Sequence, residues 1–213
     1  MRLVILALCA AGVMAGQKSA DTPSATSAPA ATSASPFGAI SDGASKVVSL
    51  LASLDRYDRD GRNPAQKIGF ELPERAVNDY LAYALKVRPR PGLRGVTLKL
   101  LANNEVAVTA QVQPDVFLAW SAGLLAEDVR PKISDIRELR LNIVFEVDGR
   151  GMATFKINRG QAGSQPFDNQ IISILLQALA SHQPEKLDLS APIPLPFGLK
   201  RLWTQAGLLA GTT

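Results

Sequence analysis

At 213 residues, with 46% hydrophobic and 6% aromatic side chains, the chain is sized for one folded domain plus appendages and fills its core with aliphatic residues. A net charge of +4, with 23 Lys and Arg scattered among 19 acids, provides no massed basic face of the kind nucleic acid requires. A single cysteine cannot form an internal disulfide, and with a single histidine it leaves too few ligands for a zinc site.

The first 15 residues have the pattern of a signal peptide. Met1-Arg2 is a short positive start, Leu3 to Val13 is apolar, and Val13-Met14-Ala15 offers a cleavage point. The stretch is shorter than the roughly 20 apolar residues that span a bilayer. Cys9 follows Leu6-Ala7-Leu8, which resembles a lipoprotein box with Leu8 in the place of Gly, Ala or Ser. Acylation of Cys9 is therefore the alternative to simple cleavage. Either way the expected location is periplasmic or secreted, with membrane anchoring through Cys9 in the second case. Residues 16–40 are rich in Ser, Ala, Pro and Thr and bury too little apolar surface to offset their ordering entropy, so a disordered tether is expected.

Over 41–65 the spacing predicts a short helix at 41–54, capped by Ser41 or Asp42, with Val47, Val48, Leu50, Leu51 and Leu54 on its apolar face. A polar connector, "DRYDRDGRNP", follows. Its Asp58, Asp60 and Gly61 suggest a calcium loop, but that register puts Arg56 and Lys67 where carboxylates belong. The folded unit is expected over 66–213. Pro73 and Glu74 suit a helix start, and Val77, Leu81 and Leu85 recur at helical spacing until the Arg88-Pro89-Arg90-Pro91-Gly92 stop.

Two hairpins follow. "GVTLKLLA" alternates through Val96, Leu98 and Leu100, Asn103-Asn104 turns the chain, and "EVAVTAQV" returns through Val106, Val108, Ala110 and Val112. In the second, Leu139, Leu141, Ile143, Phe145 and Val147 share a face, Asp148-Gly149 marks a tight turn, and Ala153, Phe155 and Ile157 come back. Between the hairpins, "VFLAWSAGLLA" at 116–126 is a short apolar helical insert. A second helix is expected at about 167–181, then a proline-stiffened edge segment through Pro192, Pro194 and Pro196, then a final strand near 199–210. The plan is α+β: a curved antiparallel sheet of two hairpins plus a C-terminal strand, packed on two amphipathic helices.

No catalytic constellation stands out. His182 lies at a helix end without a nucleophile elbow, since "AWSAG" has Ala119 where the first Gly belongs. Glu127-Asp128 and the pair Asp135 and Glu138 are solvated loop charges on the simplest reading, and "VDGRGMA" sits at a hairpin turn instead of opening a helix over a phosphate. Lys86, Arg88, Arg90 and Arg94 form one basic cluster. It is either a solvated connector or a holder of anionic groups such as phospholipid headgroups.

"FELPERAVNDYLAYAL" followed by "GVTLKLLANNEVAVTAQV" resembles the opening of LmeA-like and YpmS-like bacterial envelope proteins. The Asn78-to-Leu81 element leads there into a hairpin of the form seen over Val96 to Val112. "FKINRGQAGSQPFDNQIISILLQAL" with "LPFGLKRLWTQAGLLA" is similar to their second half, so the likeness spans about 66–210. It implies a tubular lipid-binding-like fold with an apolar groove, and it carries over no catalytic residues. The function expected is non-enzymatic binding of a lipid or other long apolar small molecule in the cell envelope, with no cofactor or metal. Leu98, Val108, Phe117, Trp120, Leu124, Leu141, Phe145, Phe155 and Leu175 would line the groove, and Arg88, Arg90 and Arg94 would meet the headgroup. The 116–126 insert is left as core, groove lid, membrane-surface contact or protein patch. The alternative function is a structural or assembly module of the envelope that binds another protein and has a fully packed core.

Overall fold

The computed structural model describes residues 40–116, 136–166 and 191–213. The expected signal peptide and tether up to residue 39, most of the 116–126 insert, the helix expected at 167–181 and His182 lie outside the described residues. Within them the chain is α+β. Helix α1 is Asp42–Arg59, strand β1 Gly69–Pro73 and helix α2 Glu74–Val87. The hairpin strands are β2 (Leu93–Leu100), β3 (Glu105–Val112), β4 (Arg137–Val147) and β5 (Met152–Ala162). Short strands β6 (Gln165–Pro166) and β7 (Ile193–Pro194) precede β8 (Arg201–Gln205) and β9 (Leu208–Thr212). The larger antiparallel sheet runs β2-β3-β4-β5-β6, with β7 also on β5, and is curled like a half-barrel; the smaller runs β1-β9-β8.

Ser41 caps α1, its hydroxyl accepting from the Ala44 amide at 3.2 Å. The helix continues five residues beyond the expected end at 54, through most of the segment expected to be a connector. Asp55 pairs with Arg59 and Asp58 with Arg62, both at i,i+4, and buried Tyr57 extends the apolar face. The turn comes only at Gly61, whose φ is 80°. Ala44, Val47 and Leu54 pack into the same core as Ala76, Val77, Tyr80, Leu81 and Ala84 of α2. Close approach of the two helices requires Gly43. A Cβ there would strike the Asp79 carboxylate and come within 3.0 Å of the Ala76 Cα.

The alternating residues of the four long strands fall on two faces. Leu98 pairs with Val108 and Val108 with Leu141; Phe145 pairs with Phe155 and Val147 with Ala153. The opposite face carries Lys99, Glu105, Asn142, Glu146 and Lys156, in keeping with a sheet that buries one side. Asn103 and Asn104 both have φ of 60°, the geometry of a two-residue I′ turn. Asn104 also ties the hairpin tip down, its carbonyl accepting from the Phe145 amide at 3.1 Å and its Oδ1 from the Thr204 amide at 3.0 Å.

The second hairpin turn is longer than Asp148-Gly149 suggests. The Asp148 amide donates to the Met152 carbonyl, and it is Gly151, with φ of 81°, that takes the left-handed position. Asp148 Oδ1 accepts from the Met152 amide at 2.8 Å and the Arg150 amide at 2.9 Å. These bonds, the one from Met152 first, hold its carboxyl below the usual carboxylate range.

Helix α2 docks along the outer edge of β2 by polar contacts that imitate a neighbouring strand. The Asn78 amide nitrogen donates to the Leu98 carbonyl at 2.8 Å, and its Oδ1 accepts from the Leu98 amide at 2.7 Å. One turn earlier, Glu74 Oε2 accepts from the Leu100 amide at 2.7 Å, and the Leu100 carbonyl accepts from the Gly207 amide at 2.9 Å. The spacing works because four helical residues rise about 6 Å and two strand residues about 6.6 Å. Glu74 and Asn78 therefore meet alternate outward-facing peptide groups of the edge strand.

Two elements differ from the expected layout. Residues 69–73 form β1, not a mere approach to the helix, because β9 supplies a partner across the register Gly69↔Thr212 to Pro73↔Leu208. Pro73 is accordingly the N-cap, with Glu74 the first helical residue and its amide donating to the Gly207 carbonyl. The C-terminal strand expected near 199–210 is a hairpin, β8 turning at Gly207 (φ 75°) into β9. It belongs to the smaller sheet. The proline-rich segment provides the two-residue strand β7 at the Met152 and Ala153 positions of β5.

Replacing Asn78 with Leu, close in volume, leaves the Leu98 amide and carbonyl without partners. The expected loss is about 2–4 kcal/mol of unfolding free energy in urea titrations; an unchanged midpoint would mean water replaces the side chain at no cost. Gly149 and Gly151 separate the two turn assignments. A Cβ at Gly149 meets open space, whereas one at Gly151 strikes the Leu199 carbonyl and adopts an unfavourable φ. Thermal melts should therefore show G149A near wild type and G151A strongly destabilised.

Candidate functional site

The apolar face of the larger sheet is the candidate site, and its two halves are packed differently. Leu98, at 3% exposure, and Phe145, at 1%, lie inside the core cluster with Leu100, Val106 and Ala153. Val96, Val108, Val147 and Phe155 are partly buried against that cluster. Leu139, Leu141 and Ile157 on the same face are half-buried and stand outside it. The Phe145 and Phe155 rings are 6.5 Å apart between centroids and tilted by 33°, a packed aromatic pair.

Of the residues expected to line a groove, Leu98, Val108, Leu141, Phe145 and Phe155 thus share one face. Leu98, Val108 and Leu141 form a single row across three strands. Leu98 and Phe145 are sealed by neighbouring side chains, while Leu141 keeps partial access to solvent. Phe117, Trp120, Leu124 and Leu175 lie outside the described residues. The insert's first residue, Val116, is 5% exposed and helical, in a stretch that begins at Pro114.

The gradient follows from the helices. α2 lies along the β2 edge and α1 lies on α2, so among the described residues the helices' apolar cover falls over β2 and the hairpin ends near Phe145. A bulge in β5 between the Asn142↔Arg159 and Ile143↔Ile157 pairs bends the far side of the sheet. Beyond it Gly160 and Ala162, both small, oppose Leu141 and Leu139. On that side Gly160, Ala110 opposite Leu139 and Ile143 opposite Ile157 are buried, while Leu139, Leu141 and Ile157 keep partial exposure.

Arg88, Arg90 and Arg94 are held at one end of this sheet by a rigid connector. The Leu93 amide donates to the Arg90 carbonyl at 3.0 Å across Pro91 and Gly92 (φ 74°), a type II turn with its preferred residues. The Gln113 amide fixes the turn by donating to the Gly92 carbonyl at 2.7 Å. Arg94 occupies the register shift between Leu93 and Gly95, and its guanidinium donates to the buried Gln113 Oε1 at 3.5 Å. Arg90 is half-buried. Burial, and secondly the charge of Arg88, lower its pKa from the usual arginine value. Two guanidiniums on so short a connector create a local field suited to an anion.

The sequence gives little sign of two structural features here. Glu74 and Asn78 interrupt the apolar stripe of α2 at i,i+4, and only their pairing with β2 shows why. Arg137 joins the basic end through register alone: Leu93 opposes Val112, and Val112 opposes Arg137. Among the described residues no three His, Cys, Asp or Glu side chains gather as a metal site, and no helix is long and apolar enough to cross a membrane. No protein-family model matches the chain, and no curated protein matches it.

The unequal packing can be checked by truncation. Phe145→Ala should cost about 3–5 kcal/mol, the usual price of emptying a sealed aromatic site. Leu141→Ala should cost about 1 kcal/mol or less in the same denaturation experiment, because much of its surface is already wet. Equal costs would contradict the division of the face.

Proposed function

We propose that this protein binds a lipid or another long apolar molecule on the apolar face of its curled sheet and catalyses no reaction. The observation that carries the reading is a row of half-buried aliphatic side chains, Leu139, Leu141 and Ile157, interspersed with the buried Ala110 and Ile143 on the same face. Val108 and Phe155 form the border between the halves. An acyl chain laid along that row would remove apolar surface from water at about 25 cal/mol per Å². The reading places Arg88, Arg90 and Arg94 at the headgroup, where their fork-like donors would pair with phosphate or carboxylate. It also carries forward the envelope location that the N-terminal pattern suggests.

The sealing of Leu98 and Phe145 favours a second reading, an assembly module with a filled core that binds another protein of the envelope. Uptake of a fluorescent fatty acid separates the two. The lipid-binding reading expects saturable uptake, reduced about tenfold or more by Leu141→Gln while the circular dichroism spectrum is preserved. No saturable uptake by the native protein overturns it in favour of the packed module.

A further inference from the structure

We propose that the outer face of the smaller sheet, built around Trp203, binds a neutral oligosaccharide. The inner face of that sheet belongs to the core, where Phe70, Leu72, Leu202 and Leu209 pack. Strand alternation turns the intervening residues the other way, and the register sets them in three rows. The middle row is Glu71, Ala210 and Trp203. Gly69, Thr212 and Arg201 form the row on one side, and Pro73, Leu208 and Gln205 the row on the other. At the usual strand spacing and rise these rows make a surface about 10 Å across and about 14 Å long.

Trp203 is half-buried, yet it stands outside both the core cluster and the side chains packed against that cluster. Ala210 is ringed by Trp203 and Glu71 across the strands and by Leu208 and Thr212 along β9, and it is 1% exposed. The centre of the face is therefore closed, and what it presents outward is the side chains around it. Glu71, Arg201 and Gln205 are exposed. Among the described residues their side chains, like the Trp203 indole, have no hydrogen bond or ion pair. The face is also open at two corners. A Cβ added at Gly69 would meet a Thr212 methyl at 3.9 Å, and one at Gly207, in the β8–β9 turn, would meet nothing within 4 Å.

These groups match the chemistry of a sugar. A pyranose ring has an apolar face of C–H groups, which suits an indole, a broad apolar plate with one donor at its edge. Its hydroxyls each donate and accept, and the face offers both kinds of partner: Arg201 donates, Glu71 accepts, and the Gln205 amide does both. Arg201 and Glu71 are the charged residues of the three rows and cancel, so a ligand without charge fits them. Stacked nucleic acid would need a positive groove along its backbone. The inference does not rest on the lipid-binding reading, whose ligand face lies on the larger sheet.

Isothermal titration of the full protein with cellohexaose and with chitohexaose tests it. Saturable binding of at least one, unchanged by added salt, is expected. Trp203→Ala should weaken that binding about tenfold or more. Because truncating a half-buried tryptophan can cost stability, Gln205→Ala is the second arm. It should leave the thermal melt unchanged and weaken binding about threefold to tenfold, through one lost hydrogen bond. Lys156→Gln, on the larger sheet, should bind as the native protein does. No binding of either oligosaccharide, or binding that Trp203→Ala and Gln205→Ala both leave intact, overturns the inference. Polyadenylate bound in their place, with affinity falling as salt rises, overturns it in favour of base stacking.

Discussion

The outward peptide groups of Leu98 and Leu100 set a constraint that much of the fold resolves around. They lie on an edge strand, where open donors and acceptors would recruit another chain or remain wet beneath a helix. Asn78 answers both groups of Leu98, Glu74 answers the Leu100 amide, and Gly207 answers its carbonyl. Because a side-chain amide offers one donor and one acceptor, it can stand in for a strand residue, and its orientation is fixed by the groups it meets. That contact aligns α2 with β2. The alignment places Ala76 and Asp79 against Gly43, and so places α1; it also brings the β8–β9 turn against the start of α2.

The same arrangement is responsible for the uneven sheet. Two helices and a three-stranded sheet gather over β2 and the Phe145 end, where Val77, Tyr80, Leu202 and Leu209 complete the core. Leu139 and Leu141 stand outside that core cluster opposite small residues of β5, and Ile157 stands opposite Ile143 next to a bulge. Polar contacts at one edge therefore allow an apolar surface to persist at some distance from it. The proposed ligand face and the basic end of the sheet are neighbours on this side. β4 links them directly, passing from Arg137 to Leu139 to Leu141.

Strand alternation was the most legible signal. Leu98, Val108, Leu141, Phe145 and Phe155 could be assigned to one face because period-two patterns survive without knowledge of partners. β1 could not be read that way: five residues ending in proline have no distinctive period, and their partner lies about 140 positions later in the chain. The β8–β9 hairpin was hidden because "QAG" breaks an apolar run only briefly. The helical extension through Asp55 and Asp58 depends on ion pairs in a segment whose composition suggests a turn. Gly149 and Gly151 are indistinguishable in sequence, although only Gly151 faces a backbone carbonyl. Arg137 was missed for a related reason, since cross-strand register, not proximity in sequence, brings it to the basic end.

Native mass spectrometry of the protein purified from its native source, followed by lipid extraction of the same sample, tests the central claim most directly. A bound species of lipid mass, released on denaturation and rebound by the emptied protein, is the result expected. A protein that is repeatedly empty, and that takes up no lipid when offered it, would contradict the account.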